Sequence, residues 1–497
     1  MGHVLEIIKS KTLTYEQKVV SLAREAENSI NVLSISEKTQ ELLNAGIICD
    51  LFEGNAPYRP RYIVPDYEKF MEKGSEFLEL EKPLDIWGAI NNLLILYKHV
   101  PSITTMPVYL GNIDYMLNPF IDDEKEGEKA IRFFLKHIDA TITDSFCHAN
   151  IGPLETKAGR IILKVMRELQ LPTPNLTIKY NGSTSKELAI DAINTALITA
   201  KPSFANDNMF EKDFMGKYGI VSCYNGLKIG GGAHTLVRVR LGKLAKSANS
   251  ITDFFDSKLP ELVEQTLNYI DERCKFIIEE SGFFETNFLS REGLIEKNNF
   301  TGLFGMVGLA ECVNYLMKLE GKTYHFGLDN EANELGQKII ASIDKIVKEH
   351  KSDFAGDFFD NRHILHAQVG IDTDVEESPG CRIPVGQEPE LMEHILQSAP
   401  FHQYFPSGIG DIFVFDSTYK NNPEAILDII KGSFNAGLRY FSLYSTDCDV
   451  VRVTGYLVKK SEMEKLDRGE SVLRDTEALG KGARDNGKAL DRRVRRV

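Results

Sequence analysis

Between residues 155 and 458 the chain alternates two kinds of run, and few folds accommodate that alternation. Segments with helical apolar periodicity (155–170, 185–200, 258–281, 302–320 and 328–349) are interleaved with short β-branched or aromatic runs at 174–180, 219–223, 234–241, 363–371, 411–416, 439–445 and 450–458. Strands separated by helices pair in parallel through crossover connections, so an α/β fold is predicted. The first 100 residues read as mostly helical, broken by PYRPRYIVP at 57–65. The charged, glycine-containing stretch after 460 is predicted to face solvent.

The last of the strand-like runs, VVRVTGYLV at 450–458, has a glycine near its centre. A bulge or a close backbone approach is the ordinary reason for such a residue. Its surroundings point to a second reason. Arg452-Val453-Thr454-Gly455-Tyr456 resembles the R-x-x-G-Y signature of the glycyl radical enzymes, which lies near the C-terminal end of those proteins. An unpaired electron on a backbone Cα needs that carbon planar and conjugated with both neighbouring amides. Glycine alone offers a Cα with no side chain to oppose that planarity.

Three upstream stretches carry the same resemblance, in the same order: Pro174-Asn175-Leu176-Thr177, Pro202-Ser203-Phe204-Ala205-Asn206-Asp207, and the apolar approach Tyr218–Val221 to Ser222-Cys223-Tyr224-Asn225-Gly226. The resemblance covers about residues 170–460 and is strongest to the short YjjI-type members, which share a GYLVKKSEM-like tail. It implies a ten-stranded barrel of two five-stranded parallel halves packed antiparallel, wrapped by helices, with the cysteine and glycine loops in its centre. It implies that Gly455 stores the radical, that Cys223 relays it as a thiyl, and that Arg452, Thr454 and Tyr456 shape the glycine loop. It also implies a separate activating enzyme that uses S-adenosylmethionine and an iron–sulfur cluster, no bound metal in this chain, a small-molecule substrate, anaerobic chemistry and a homodimer. Residues 1–434 would form the helical N-terminal region and barrel, and 435–497 the glycine-radical segment.

Departures from better-known relatives narrow the reaction. Ser222 precedes Cys223 where the pyruvate formate-lyases have a second cysteine, and a serine cannot relay a radical as a thiol does. Asn225 stands where the diol dehydratases carry a glutamate base, and an amide cannot accept a proton in that role. The last hundred residues hold one cysteine, Cys448, so the four-cysteine zinc site of anaerobic ribonucleotide reductases has no counterpart here. A lyase-type cleavage of a C–O or C–C bond is the expected class. The alternatives are a thiol enzyme with Cys223 as nucleophile and a base such as His234, or a catalytically inactive binding protein.

Other candidates carry lighter expectations. Gly230-Gly231-Gly232 is a tight loop near the thiol, with Gly231 a substrate-pocket candidate. His148 or Asn150 is expected to line a pocket or to be a satisfied buried group. Ser222 and Asn225 flank the relay thiol. His363 and His366, three apart on a strand, should point to opposite faces, which disfavours a shared metal. Tyr58, Arg59 and Arg61 are expected in a structural salt bridge, Asp122–Glu124 in a solvated loop, and Trp87 in the core. The net charge of −14 argues against nucleic-acid binding. Neither a secretory signal nor a membrane-length apolar run is visible, so a cytoplasmic protein with seven reduced cysteines is expected.

Overall fold

The computed structural model describes residues 2–51, 56–100, 108–142, 146–367, 374 and 377–496. Its strands, in chain order, begin with β1 (Ile48–Cys49), β2 (Tyr62–Val64), β3 (Tyr109–Asn112), β4 (His148–Ile151), β5 (Asn175–Tyr180) and β6 (Ser203–Asn206). They continue with β7 (Tyr218–Ile220), β8 (Gly226–Lys228), β9 (Gly231–Arg240), β10 (Phe300–Val307) and β11 (Ile364–Ala367). The remainder are β12 (Asp411–Phe415), β13 (Tyr440–Ser445), β14 (Val450–Arg452), β15 (Leu457–Lys459) and β16 (Val494–Arg495).

Strands β3 to β6 run parallel, as helices such as Lys157–Leu169 and Lys186–Thr199 cross between them. Strand β13 lies antiparallel against β6, and β12 and β16 continue from it in parallel. A second sheet holds β9, β10 and β11 in parallel, with β1 and β2 antiparallel along β9. Parallel sets meeting antiparallel under a helical coat is the predicted α/β architecture. The ladders among the described residues form a seven-stranded sheet and a five-stranded sheet, beside two hairpins. Two separate hairpins, β7–β8 and β14–β15, carry the cysteine and glycine segments at their tips.

Several expectations are corrected. Residues 302–307 are not helical; they belong to β10, and the helix starts at Leu309. All eight residues of β10 are buried, so the strand shows no alternation and reads like a buried helix. Gly308, at φ +78°, marks the actual boundary. The run 450–458 is a hairpin bent at 453–456, not one strand. Strand β11 ends at Ala367, and residues 368–371 lie outside the described residues.

The tail after 460 is not simply solvent-facing: Arg474, Glu477, Arg492 and Arg495 are buried. Their polar ends have interior partners, among them the Arg474–Asp139 ion pair. Trp87 is 40% exposed and donates to Glu126 at 2.8 Å, so it is a surface residue. Asp123 caps the helix Glu124–Thr141 by accepting the Lys125 N–H. Tyr58 and Arg59 both reach Glu27, at 3.0 and 3.8 Å.

Candidate functional site

The cysteine hairpin is short. Ile220 pairs with Gly226, so only residues 221–225 form the tip. Two backbone bonds close it, Val221 N–H to Asn225 O at 2.8 Å and Asn225 N–H to Ser222 O at 2.6 Å. Gly226 is required because a Cβ there would lie 2.5 Å from the Phe210 ring. Cys223 is 2% exposed and left-handed, with φ +40°, a conformation that a non-glycine residue adopts at a cost of about 1–2 kcal/mol. The Ser222 hydroxyl lies 3.8 Å from its sulfur.

The glycine hairpin is gripped by its carbonyls. Arg492, from the C-terminal tail, donates to the carbonyls of Arg452 (3.3 Å) and Val453. Arg382 donates to the Thr454 carbonyl at 2.7 Å and to that of Gly410 at 2.8 Å. Arg452 reaches forward to the Gly455 carbonyl (3.3 Å) and back to Ala200 O (2.9 Å) and Asn175 Oδ1 (3.0 Å). Asn175 Nδ2 also points to Gly455 O, at 3.4 Å. Four consecutive carbonyls, 452 to 455, thus each meet a buried guanidinium. Tyr456 packs its ring 5.0 Å from that of Phe146.

The two hairpins share one interior, and β5 indexes both. Asn175 and Thr177 are two apart, so their side chains leave the same face of the strand. Asn175 ends at Gly455, as above. Thr177 meets the Tyr440 hydroxyl at 2.6 Å, and Tyr440 donates to the Cys223 carbonyl at 2.7 Å. Phe146 packs against both the Tyr456 cluster and the Cys223–Tyr440 cluster. Burial pulls the pKa of Arg452 down. The Pro-Asn-Leu-Thr stretch therefore has a physical reading: its two polar side chains address the two loops. Lys201 supports it from below by donating to Pro174 O at 2.5 Å, and burial pulls its pKa to about 7.

The Pro-Ser-Phe-Ala-Asn-Asp stretch builds the antiparallel junction. Ser203 bonds Ser442 (2.9 Å), Asn206 donates to Leu438 O (3.1 Å), and Asp207 accepts from Asn181 (2.6 Å) and Tyr218.

The remaining candidates are distributed as follows. His148 is fully buried, bonds Thr177 at 2.7 Å through Nε2, and is held neutral as burial, then Arg452 and Lys201, depress its pKa. Asn150 is committed to the strand end before the cysteine loop: its amide spans both sides of Ile220, accepting N–H at 2.8 Å and donating to C=O at 2.9 Å. The buried Asn225 Nδ2 has no hydrogen-bond partner. Gly231 pairs with Val64 and sits where a Cβ would lie 2.1 Å from Asn299 O, so it lets the turn before β10 approach β9 closely. His234 is caged by Phe300 and Phe284, and neither ring nitrogen has a hydrogen-bond partner. A Cys223–His234 dyad would need such a bond.

His363 and His366 part company. His366 sits 5.8 Å from the Tyr224 ring, whereas His363 joins His350 and Asp271, the one metal-like cluster among the described residues. That cluster is poorly suited to a metal. The Gly302 N–H donates to His363 Nδ1 at 3.1 Å, so Nε2 carries the proton and donates to Asp271 at 2.8 Å. Metal ligation through Nε2 would displace that proton while Nδ1 is already occupied.

Sequence reasoning missed Arg382, Arg492 and Tyr440. Nothing local marks them, since each reaches the site from another segment.

A family model described as "Glycyl radical enzyme YjjI-like" matches residues 13–495. An uncharacterized protein of Haemophilus influenzae is 47% identical over 99% of this chain and 97% of its own length. The Escherichia coli protein YjjI, described as uncharacterized, is 42% identical over 99% of this chain and 95% of its own. Among solved structures, the B12-independent glycerol dehydratase of Clostridium butyricum superposes with a TM-score of 0.69 at 10% identity, over 99% of this chain and 88% of that one. The anaerobic ribonucleotide reductase of Thermotoga maritima gives 0.66 at 12% identity, over 87% and 85%. No helix among the described residues is long and apolar enough to cross a membrane. The chain belongs to the YjjI-like family of glycyl radical enzymes.

Proposed function

We propose that this chain stores an unpaired electron on Gly455 and passes it to Cys223, whose thiyl abstracts a hydrogen atom from a small metabolite. In the relay the Gly455 Cα radical takes the hydrogen of the Cys223 S–H, leaving a methylene and a thiyl. The thiyl then takes a hydrogen from a substrate C–H, and the product radical recovers it. A lyase-type cleavage of a C–O or C–C bond is the reading favoured, with Ser222 and Asn225 replacing the second thiol and the carboxylate base of other members.

The observation that supports the proposal is that both hairpin tips are buried and reached from β5. The side chains of Asn175 and Thr177, on one face of β5, address the carbonyl of Gly455 directly and that of Cys223 through Tyr440. Arg452, Thr454 and Tyr456 shape the glycine loop. A separate activating enzyme using S-adenosylmethionine and an iron–sulfur cluster installs the radical, with residues 435–497 as the segment it must reach. A cytoplasmic homodimer needing no metal of its own completes the reading.

The test is anaerobic activation of three proteins followed by electron paramagnetic resonance and substrate turnover. Wild type should show the radical and turn over. Cys223→Ala should show the radical without turnover, and Gly455→Ala neither. Turnover by Gly455→Ala would refute the proposal in favour of an ordinary thiol enzyme.

A further inference from the structure

Cys223 holds a left-handed backbone at the tip of a five-residue turn, and the two backbone bonds that close the turn involve residues 221, 222 and 225 rather than Cys223 itself. Its carbonyl is instead held from across the interior by the Tyr440 hydroxyl at 2.7 Å. Tyr440 opens β13 at the antiparallel junction, paired with Ala205, fully buried and edge-on to the Tyr224 ring at 5.9 Å.

The proton directions behind that bond are forced. A carbonyl only accepts, so Tyr440 donates to Cys223 O. Thr177 must then donate to Tyr440 (2.6 Å), and His148 Nε2–H must donate to Thr177 (2.7 Å). His148 Nδ1 is left as a bare lone pair, which agrees with its having no partner and with burial keeping the imidazole neutral. The chain from His148 to Cys223 has one orientation, fully buried at each member.

We propose that Tyr440 is a positioning residue of the radical relay: oriented by Thr177 and His148, its phenol fixes the left-handed backbone of Cys223 and thereby aims the thiol. This rests on the Gly455–Cys223 reading above. Because β5 also addresses the Gly455 carbonyl through Asn175, one strand sets the mutual aim of both loops.

The relay itself supplies a readout that general stability does not move. Each reversible transfer from S–H to Gly455 draws on a thiol hydrogen that exchanges with solvent. In deuterated water the relay therefore replaces the remaining α-hydrogen of Gly455, and the doublet in the resonance spectrum collapses. Tyr440→Phe keeps the ring and removes the hydroxyl. After anaerobic activation it should retain the wild-type spin yield, while the doublet collapses about tenfold more slowly, the size of effect expected from one buried hydrogen bond. Cys223→Ala sets the baseline, with spin and no collapse. Wild-type collapse in Tyr440→Phe overturns the positioning role and leaves the parent reading intact. Absence of any radical in the wild type overturns the parent reading, and this one with it. Should Tyr440→Phe lose its fold or its spin yield, Thr177→Val carries the test: slowed collapse supports the proposal, and wild-type collapse overturns it.

Discussion

Arg382 is the sharpest place to perturb the glycine hairpin, because it is held there by few contacts and belongs to a separate segment. Its guanidinium donates to the carbonyls of Thr454 and Gly410, at 2.7 and 2.8 Å, and lies 5.7 Å from the Tyr224 ring centroid. In Arg382→Met both carbonyls lose that donor. An unsatisfied buried acceptor costs about 1–3 kcal/mol, and the lost cation–π contact adds about 0.5–1 kcal/mol. An opposing effect reduces the sum. Arg382 also repels Arg452 and Arg492, and removing its charge relieves that strain. A net local cost of about 2–3 kcal/mol follows, or about a 30- to 150-fold rise in hairpin opening. Hydrogen exchange of the peptide spanning 450–459 reads this directly, since the Val453 N–H is bonded to Tyr456 O inside the turn (3.2 Å). Exchange there should accelerate by that factor while the β3–β6 peptides stay at wild-type rates. Unchanged hairpin exchange, or a uniform acceleration over the whole chain, would refute the carbonyl-grip argument.

Three further outcomes are expected. Asn150→Ala removes the amide that brackets Ile220 and should cost about 3 kcal/mol in denaturant unfolding; an unchanged midpoint contradicts that role. Glu477 accepts the Lys459 N–H at 3.0 Å, and burial raises its pKa from 4.5 to about 8. The folded form therefore keeps a proton that the unfolded form releases, so this contribution is full below about pH 4.5 and lost as the pH rises through about 8. The Tm of the wild type should fall between pH 5 and 8.5 more steeply than that of Glu477→Gln, and parallel curves would refute the assignment. Admitting air to the activated protein should cut the backbone at the radical carbon and release a fragment beginning at about Tyr456, whereas an intact mass in a spin-bearing sample contradicts storage on Gly455.

How much was legible in the sequence depended on whether the signal was local. The α/β alternation is local, and so are the motifs around Asn175, Phe204, Cys223 and Gly455, because each needs particular residues at fixed spacing. The grip on the glycine hairpin is not. Arg382 and Arg492 are an arginine in a loop and an arginine in a basic tail, and the carbonyls they hold carry no side-chain signature. The tail reads as solvent-facing because charge normally stays in water; Arg474, Arg492 and Arg495 are instead buried against carbonyls and a carboxylate. Residues 302–307 of β10 read as helix because burial on both faces erases the two-residue period that distinguishes a strand. Tyr440 gave no sign of a role, since an aromatic at a strand start is ordinary core until its hydroxyl is seen to end on Cys223.

Resonance spectra of protein grown on glycine carrying carbon-13 at Cα, compared with unlabelled protein, ask where the spin resides. Labelled wild type activated without oxygen should show an added carbon hyperfine splitting, and Gly455→Ala should show no organic radical. A spectrum untouched by the label, or one that survives in Gly455→Ala, would place the electron elsewhere and contradict the account.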